Sequence, residues 1–217
     1  MLLDLLPANA VDELQSMLSK KRYQHCQRVL ETAYEISEGW QDYRIDEQEL
    51  AWAGLFHDCA KELKPDEQQA LMQEGAIPHG EELLSSPALA HGPLGALMLQ
   101  AKWGIESKDV LMAVAHHSTG HPEMAPIGWS IYLADYLEPG RPFLENREML
   151  IQEARNYPLH SLRRISEMRI HRFQKKGKKM HPLAYKVDRY LNSIDQVEVL
   201  FAASAKHEAG PESVKGW

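Results

Sequence analysis

The segment Leu50-Ala51-Trp52-Ala53-Gly54-Leu55-Phe56-His57-Asp58-Cys59-Ala60-Lys61 runs from apolar residues directly into an adjacent histidine and aspartate. Its apolar part predicts a buried helix, and Lys61 follows the pair one turn later. Polar and charged side chains are rarely buried without compensation, and a metal cation compensates them economically. The segment therefore predicts that His57 and Asp58 bind metal inside a helical core.

Further candidate ligands stand where apolar helical faces continue. His25 shares a face with the apolar residues four, eight and eleven positions later. A single histidine on such a face is more often a hydrogen-bonded core residue, and that alternative applies to His25 or His91 taken alone. Six candidates together favour a site for two metal ions, because imidazoles and carboxylates suit borderline divalent cations. The four candidates outside the His-Asp pair are His25, His91, His117 and Asp135.

Asp58 is predicted to bridge the two ions. Neighbouring residues differ by about 100° around a helix axis, but near a helix end His57 and Asp58 can still reach one cation. The carboxylate then has a second oxygen left for another ion.

Helical periodicity runs through almost the whole chain, and no convincing alternating strand appears. The sequence predicts an all-α fold with a single domain over residues 1–206, a core at about 15–200, and a frayed tail at 207–217. The predicted helices cover Ala10–Leu18 with Asn9 as N-cap, Ser19 to about Glu38, Asp46 to Ala60 or Lys61, a helix from Pro65, His91–Trp103, Ser107–His117, Pro126–Leu137, and two or three between Phe143 and Ala203.

Composition excludes several classes of protein. The chain has 217 residues, a formal net charge of −7 and no basic stretch long enough to coat a nucleic-acid duplex. No apolar run is long enough to span a bilayer, and the N-terminus is not a convincing signal peptide. Only two cysteines occur, which favours the reducing cytoplasm. The last helix has enough apolar length to seal the core or to pair with another copy, so a homodimer is possible.

Three longer motifs surround the ligand candidates. They are Ala53-Gly54-Leu55-Phe56-His57-Asp58-Cys59-Ala60-Lys61-Glu62-Leu63, His117-Ser118-Thr119-Gly120, and Leu133-Ala134-Asp135-Tyr136-Leu137-Glu138-Pro139-Gly140-Arg141. Together with the ordered ligand set, the chain resembles the HD-domain metal-dependent phosphohydrolases, and most closely the bacterial YqeK-type symmetrical diadenosine tetraphosphate hydrolases. The resemblance covers roughly residues 15–200 and implies a single HD-domain helical bundle.

The resemblance also implies how the ions are held. One metal is expected on His25, His57, Asp58 and Asp135, and the second on Asp58, His91 and His117. Family members characteristically use iron, so the resemblance implies Fe²⁺. The ligand types alone fit manganese, zinc or cobalt nearly as well.

Two such ions are expected to activate a metal-bridging water, giving a hydroxide that attacks phosphorus in line with the leaving oxygen. Lys61 and Arg141 are the best phosphate-facing cations, and the resemblance places both at phosphate-binding positions. With Asp58 they form the predicted catalytic set. Further predicted substrate contacts are Arg22, Thr119 and the amide of Gly120.

Central cleavage of diadenosine tetraphosphate would release two molecules of ADP. The resemblance implies that nucleotide substrate, whereas the residues alone indicate phosphoester or phosphoanhydride hydrolysis. An HD-domain nucleotidase or a guanosine tetraphosphate phosphohydrolase is the alternative enzyme, with the same metal chemistry and a different pocket. A non-catalytic nucleotide-binding signalling module is the other alternative, which the presence of all six ligands disfavours.

Two histidines depart from the family pattern. His116 precedes His117 where the family usually has an aromatic residue. The spacing to the following motif selects His117 as the ligand, although helical phase does not exclude His116. His121 stands where the family often has arginine, and it is interpreted either as a substrate contact or as a solvent-exposed loop residue.

Overall fold

The computed structural model describes residues 2–41, 43–197 and 201, and within these residues the chain is helical and has no strand. The prediction of an all-α fold is confirmed. Two short 3₁₀ turns cover Leu2–Leu5 and Glu81–Leu83. The α-helices are α1 (Ala8–Met17), α2 (Lys20–Ser37), α3 (Glu47–Phe56), α4 (Pro65–Glu74), α5 (His91–Trp103), α6 (Lys108–His116), α7 (Pro126–Leu137), α8 (Arg147–Asn156), α9 (Pro158–Lys175) and α10 (Pro182–Ser193).

Four of the described α-helices, α2, α3, α6 and α10, begin at a side-chain cap. The Ser19 hydroxyl accepts a hydrogen bond from the Arg22 amide, and the Asp46 carboxylate accepts one from the Glu49 amide. The predicted N-cap at Asn9 is wrong: α1 begins at Ala8, two residues before the predicted start at Ala10, because the Pro7 carbonyl already accepts from the amides of the first turn.

The predicted end of α3 near Ala60 or Lys61 is also wrong, because the helix ends at Phe56. From there the backbone closes tighter three-residue turns, from the Cys59 amide to the Phe56 carbonyl and from the Lys61 amide to the Asp58 carbonyl. This change of winding lets two consecutive side chains, His57 and Asp58, face the same centre.

The middle of the bundle is formed by α2, α3, α6 and α7. Helix α2 packs against α3 and α7, and α6 packs against α5, α3 and α7. Nearly every residue of α7 is buried, although Asp135 is charged. A helix that is apolar all round belongs in the interior, so α7 carries Asp135 into the core beside the ends of α3 and α6.

The C-terminal helices close the other side of the bundle. Leu183, Val187 and Leu191 of α10 are buried, and α10 packs against α9, so this apolar face seals the core within one chain. The possible homodimer stays a prediction. Leu200 and the predicted tail at 207–217 lie outside the described residues. Among the described helices, none combines the length and apolar character that a membrane span requires.

Gly92 allows the closest approach of α5 to α6. A Cβ atom there would lie 2.3 Å from the Ala115 carbonyl oxygen. We expect Gly92→Ala to force the helices apart and to lower the free energy of unfolding by about 1–3 kcal/mol, measured by urea denaturation. Gly75→Ala is the control, because its Cβ would meet only Leu97 at an ordinary 3.5 Å. Equal stability of the two variants would show that the helices tolerate the added methyl group.

Candidate metal centre

Six side chains predicted as ligands converge on one buried region at the middle of the bundle. His25 comes from α2, His57 and Asp58 from the turn that ends α3, His91 from the first residue of α5, His117 from the residue after α6, and Asp135 from α7. The four histidines and Asp58 are buried, and the Asp135 side chain is 13% exposed.

One oxygen of Asp58 faces the first group of ligands. Asp58 Oδ2 lies 3.6 Å from His25 Nε2 and 3.7 Å from His57 Nε2. His25 Nε2 also lies 3.3 Å from Asp135 Oδ1. Two imidazoles and two carboxylates therefore surround a common point.

The other oxygen of Asp58 faces the second group. Asp58 Oδ1 lies 3.2 Å from His91 Nε2 and 3.5 Å from His117 Nε2. This oxygen is buried and accepts no hydrogen bond. A buried carboxylate oxygen without a partner is costly, and a cation between it and the two imidazoles removes that cost.

The ring orientations leave lone pairs, rather than protons, pointing at the centre. His57 Nδ1 donates to the Gly54 carbonyl at 2.8 Å, and His117 Nδ1 donates to the Val114 carbonyl at 2.8 Å. In the tautomer that makes these bonds, the lone pair is on Nε2, as in metal-binding histidines whose other nitrogen is hydrogen-bonded. His91 Nε2 and His117 Nε2 are only 3.1 Å apart.

Burial keeps most of these groups in the protonation state that binds metal. It lowers the pKa of His57 to about 3 and the pKa of His91 to about 4, so both rings are neutral near pH 7. Burial alone raises the pKa of Asp58, but the neighbouring His57, His117 and His91 outweigh it and hold that pKa well below its usual range. The centre thus offers neutral imidazoles and an ionised carboxylate.

His25 behaves differently. Burial lowers its pKa, but Asp135, Glu138 and Asp58 outweigh burial and raise the pKa overall. A proton on His25 therefore offsets part of the negative charge when no cation is bound. Metal binding displaces such a proton, so it becomes weaker as the pH falls.

The donor set fits a divalent metal ion. Ligand atoms of His25, His57 and Asp135 lie within 4.8 Å of one another, as do those of His57, Asp58 and His117. Nitrogen and carboxylate donors without thiolates suit borderline ions of the iron-to-zinc series. These residues can hold metal.

Glu138 has a larger role than the sequence indicated. It is buried and accepts hydrogen bonds from Arg28 Nε and the Gly140 amide, each at 2.6 Å, while its Oε1 lies 3.2 Å from His25 Nδ1. Glu138 Oε1 also lies 3.4 Å from Arg141 Nε. Its principal effect is to orient His25.

Arg169 on α9 was missed by the sequence analysis. Its Nη2 lies 3.5 Å from Asp135 Oδ2 and donates to the Ser118 carbonyl at 3.1 Å. The signal was available, because Arg169 continues the buried stripe of Leu162 and Ile165 at helical spacing. The same reasoning that selected His25 would have selected it.

The predicted cations Arg22, Lys61 and Arg141 lie at the centre. Arg22 Nη1 donates to Asp58 Oδ2 at 2.6 Å, and Lys61 Nζ lies 3.0 Å from His91 Nδ1. Arg141 donates to the Asp135 carbonyl at 2.8 Å and also to the Asp135 carboxylate. A cleft of about 400 Å³ opens beside them. Its lining includes Lys21, Arg22, His25, Arg28, Arg141, Phe143 and Arg172.

Thr119 and Gly120 do not line this cleft. Both are buried, the Thr119 hydroxyl donates to the Gly120 carbonyl at 3.1 Å, and the Gly120 amide donates to the His116 carbonyl at 2.7 Å. Gly120 has a φ of 72°, a conformation that glycine adopts readily, and a Cβ atom there would lie 3.0 Å from Val187. The roles of Thr119 and Gly120 as substrate contacts stay predictions.

The structure also separates the two adjacent histidines. His117 faces Asp58, whereas the His116 ring packs against His121 with ring centroids 4.6 Å apart. Burial lowers the pKa of His116 to about 3. His121 is half-buried and does not line the cleft beside Arg141.

Glu138 gives a pH-dependent test of this arrangement. Burial raises its pKa, but the bonds from His25, Arg28 and Gly140 outweigh burial and lower it from 4.5 to about 2. The ionised form therefore stabilises the fold above about pH 4.5, and that contribution disappears as the pH falls towards 2. In metal-free protein, Glu138→Gln should be less stable than wild type near pH 7 by on the order of 3 kcal/mol.

The difference should shrink on acidification, as measured by urea denaturation at a series of pH values. The exposed Glu145→Gln is the matched control and should track wild type throughout. A Glu138→Gln deficit that is the same at every pH would contradict the assigned role of the carboxylate.

Comparisons with known proteins agree with this geometry. The family model described as "HD domain" matches residues 22–140, more than half of the chain. Proteins named "Bis(5'-nucleosyl)-tetraphosphatase, symmetrical" are similar in sequence. The one from Halalkalibacterium halodurans is 38% identical over 58% of this chain and 65% of its own length. The one from Bacillus subtilis is 33% identical over 60% of this chain and 68% of its own length.

A solved structure is similar over nearly its full length. It is an HD superfamily hydrolase from Clostridium acetobutylicum, described as involved in NAD metabolism, with 30% identity and a TM-score of 0.75. The match covers 87% of this chain and 98% of that one. The chain spans about two thirds of the length of the named relatives above. The histidines and aspartates of an all-α bundle meet at one centre, and the HD-domain model matches more than half of the sequence. This match shows that the chain belongs to the HD-domain family.

Proposed function

We propose that this protein is a metal-dependent hydrolase that cleaves diadenosine tetraphosphate symmetrically into two molecules of ADP. The observation that carries the proposal is the position of Asp58, whose two oxygens face separate groups of imidazole ligands. The names of its sequence relatives support the substrate. The free, buried cysteines are consistent with the cytoplasm as its compartment.

We assign one divalent ion to His25, His57, Asp58 and Asp135, and a second to Asp58, His91 and His117, with iron as the proposed metal. Bound there, the ions supply Lewis-acid activation of water and neutralise charge on the phosphates. The carboxylate of Asp58 contributes to both groups and keeps them at a fixed separation. Glu138 fixes the ring plane of His25 through Nδ1.

The cations beside the centre bind and orient the polyphosphate. Arg22 and Arg141 pair with Asp58 and Asp135, so each holds its position before substrate arrives. Lys61 lies over His91, and burial lowers its pKa although Asp58 opposes this effect. Fixed positive charges near a phosphorus centre stabilise the charge that develops on its oxygens during hydrolysis.

The cleft suits a long, highly charged substrate. Its volume of about 400 Å³ and its arginines fit a chain of phosphates better than an apolar ligand. The Arg172 guanidinium carbon lies 3.5 Å from the centre of the Phe143 ring, and the Tyr136 ring packs edge-to-face with Phe143 at a centroid distance of 5.3 Å. A purine can stack on this aromatic and guanidinium surface while its phosphates extend towards Arg141.

The substrate assignment is tested by purifying the protein without oxygen, measuring bound metals, and assaying several nucleotides. The panel contains diadenosine tetraphosphate, other dinucleoside polyphosphates, mononucleotides and guanosine tetraphosphate. We expect ADP as the main product from the symmetrical tetraphosphate. Faster hydrolysis of mononucleotides or of guanosine tetraphosphate would favour the alternative enzymes, and nucleotide binding without turnover would favour a signalling module.

Asp58→Asn tests the bridging carboxylate. The amide keeps the shape of the side chain but removes its charge and one acceptor, so we expect bound metal to decrease and kcat/KM to fall at least about a hundredfold. Metal analysis and product formation measure the two effects. Asp12→Asn, an exposed acid-to-amide change on α1, is the control and should behave as wild type. Wild-type metal content and turnover in Asp58→Asn would contradict the assigned centre.

Arg172→Ala tests the outer part of the cleft. Arg172 contacts Phe143 rather than Asp58 or Asp135, so its loss should weaken substrate binding more than the chemical step. We expect KM to rise roughly tenfold, the size of one charge-assisted contact, with kcat changed much less. Arg189→Ala removes an exposed arginine on α10 and should leave both constants unchanged. A selective fall in kcat would place Arg172 at the reacting phosphates instead.

A further inference from the structure

A second cluster of metal-ligating side chains lies outside the candidate centre. Glu82, His116 and His121 each offer one ligand atom, and these atoms lie within 4.8 Å of one another. Glu82 belongs to the 3₁₀ turn Glu81–Leu83, His116 ends α6, and His121 lies in the following connection. The fold therefore brings three separate segments to one point.

His116 supplies the observation that points to a ligand. Its side chain is 2% exposed, and its Nδ1 has no hydrogen-bond partner. Buried polar atoms normally have a partner, and none of the described residues provides one here. Gly80 directly precedes the turn that carries Glu82, and a Cβ atom added to Gly80 would lie 3.5 Å from the His116 ring. This turn therefore lies against His116.

The cluster is distinct from the centre around Asp58. His117 points the other way, because its Nδ1 donates to Val114 and its Nε2 faces Asp58. His116 instead packs against His121. At the end of α6, His117 thus faces the centre around Asp58, whereas His116 faces the cluster with His121.

We propose that Glu82, His116 and His121 form a separate site for one borderline divalent metal ion, with zinc as the probe. Two imidazoles and one carboxylate are a common protein contribution to a four-coordinate zinc site, and water fills the remaining position. Because Glu82 is exposed and His121 half-buried, an ion can enter from solvent.

The affinity is limited by one existing interaction. His121 Nδ1 accepts a hydrogen bond from the Glu123 amide at 3.2 Å. Metal binding through Nδ1 displaces that bond, and binding through Nε2 breaks it as well, because the proton of the neutral ring must then move from Nε2 to Nδ1. A bound ion would fasten the Glu81–Leu83 turn to the end of α6, immediately beside His117.

The test compares zinc bound per chain in the full-length protein after dialysis against buffered zinc. The variants are His121→Ala and Glu82→Gln, with His160→Ala and Glu81→Gln as matched exposed controls. We expect the first two variants to hold one ion fewer than wild type and the controls to match wild type. The same zinc content in all five proteins would overturn the proposal.

A second comparison separates this site from the centre around Asp58. In a chain in which His57 and His91 are alanine, with folding checked by circular dichroism, one zinc ion per chain should remain. Adding His121→Ala should remove it. If the remaining ion survives this third substitution, the cluster is not its site. The readout is bound metal, so the outcome does not depend on which nucleotide the enzyme hydrolyses.

Discussion

The carboxylate of Asp58, buried between imidazole nitrogens on both sides, is the constraint on which the site depends. Its Oδ1 accepts no hydrogen bond, and its Oδ2 meets the Arg22 guanidinium at 2.6 Å. Placing lone pairs and negative charge together away from water is unfavourable. Divalent cations offset this unfavourable charge and satisfy the lone pairs. The arrangement is therefore favourable as a metal centre and unfavourable as an ordinary protein core. Helices α2, α5, α6 and α7 each bring one ligand side chain to that point, and the turn that ends α3 brings two.

Helix ends supply most of the ligands. His57 and His117 each follow the last residue of a helix, and His91 begins one. At these positions the backbone leaves regular winding at little cost, so a side chain can turn to the centre without disrupting the apolar face behind it. His25 and Asp135 lie within helices instead, and they depend on the neighbouring charges of Glu138, Arg141 and Arg169 for orientation.

Periodicity predicted the helical fold and the convergence of the ligand side chains, because both depend on which face of a helix is apolar. It could not predict the direction of the chain after a helix ends. Thr119 and Gly120 follow His117 in sequence, yet both are buried, and Gly120 has a left-handed backbone and lies close to Val187 of α10. Arg169 lies on α9, far from any motif; helical spacing places it on the buried face, and the packed bundle shows that it reaches Asp135. Helical spacing thus predicts which side chains face the core, whereas tertiary packing decides which partner each of them contacts.

The hydrogen bonds donated by Nδ1 of His57 and His117 have a consequence for how related proteins can diverge. Both rings are held by a carbonyl three residues earlier in their own chain segment, Gly54 and Val114. The orientation of each ring is therefore fixed within a single helical turn and does not depend on the loops around the cleft. Insertions or substitutions in the rim can reshape which ligand is admitted while the metal-binding geometry stays intact, so new binding preferences can arise around an unaltered centre.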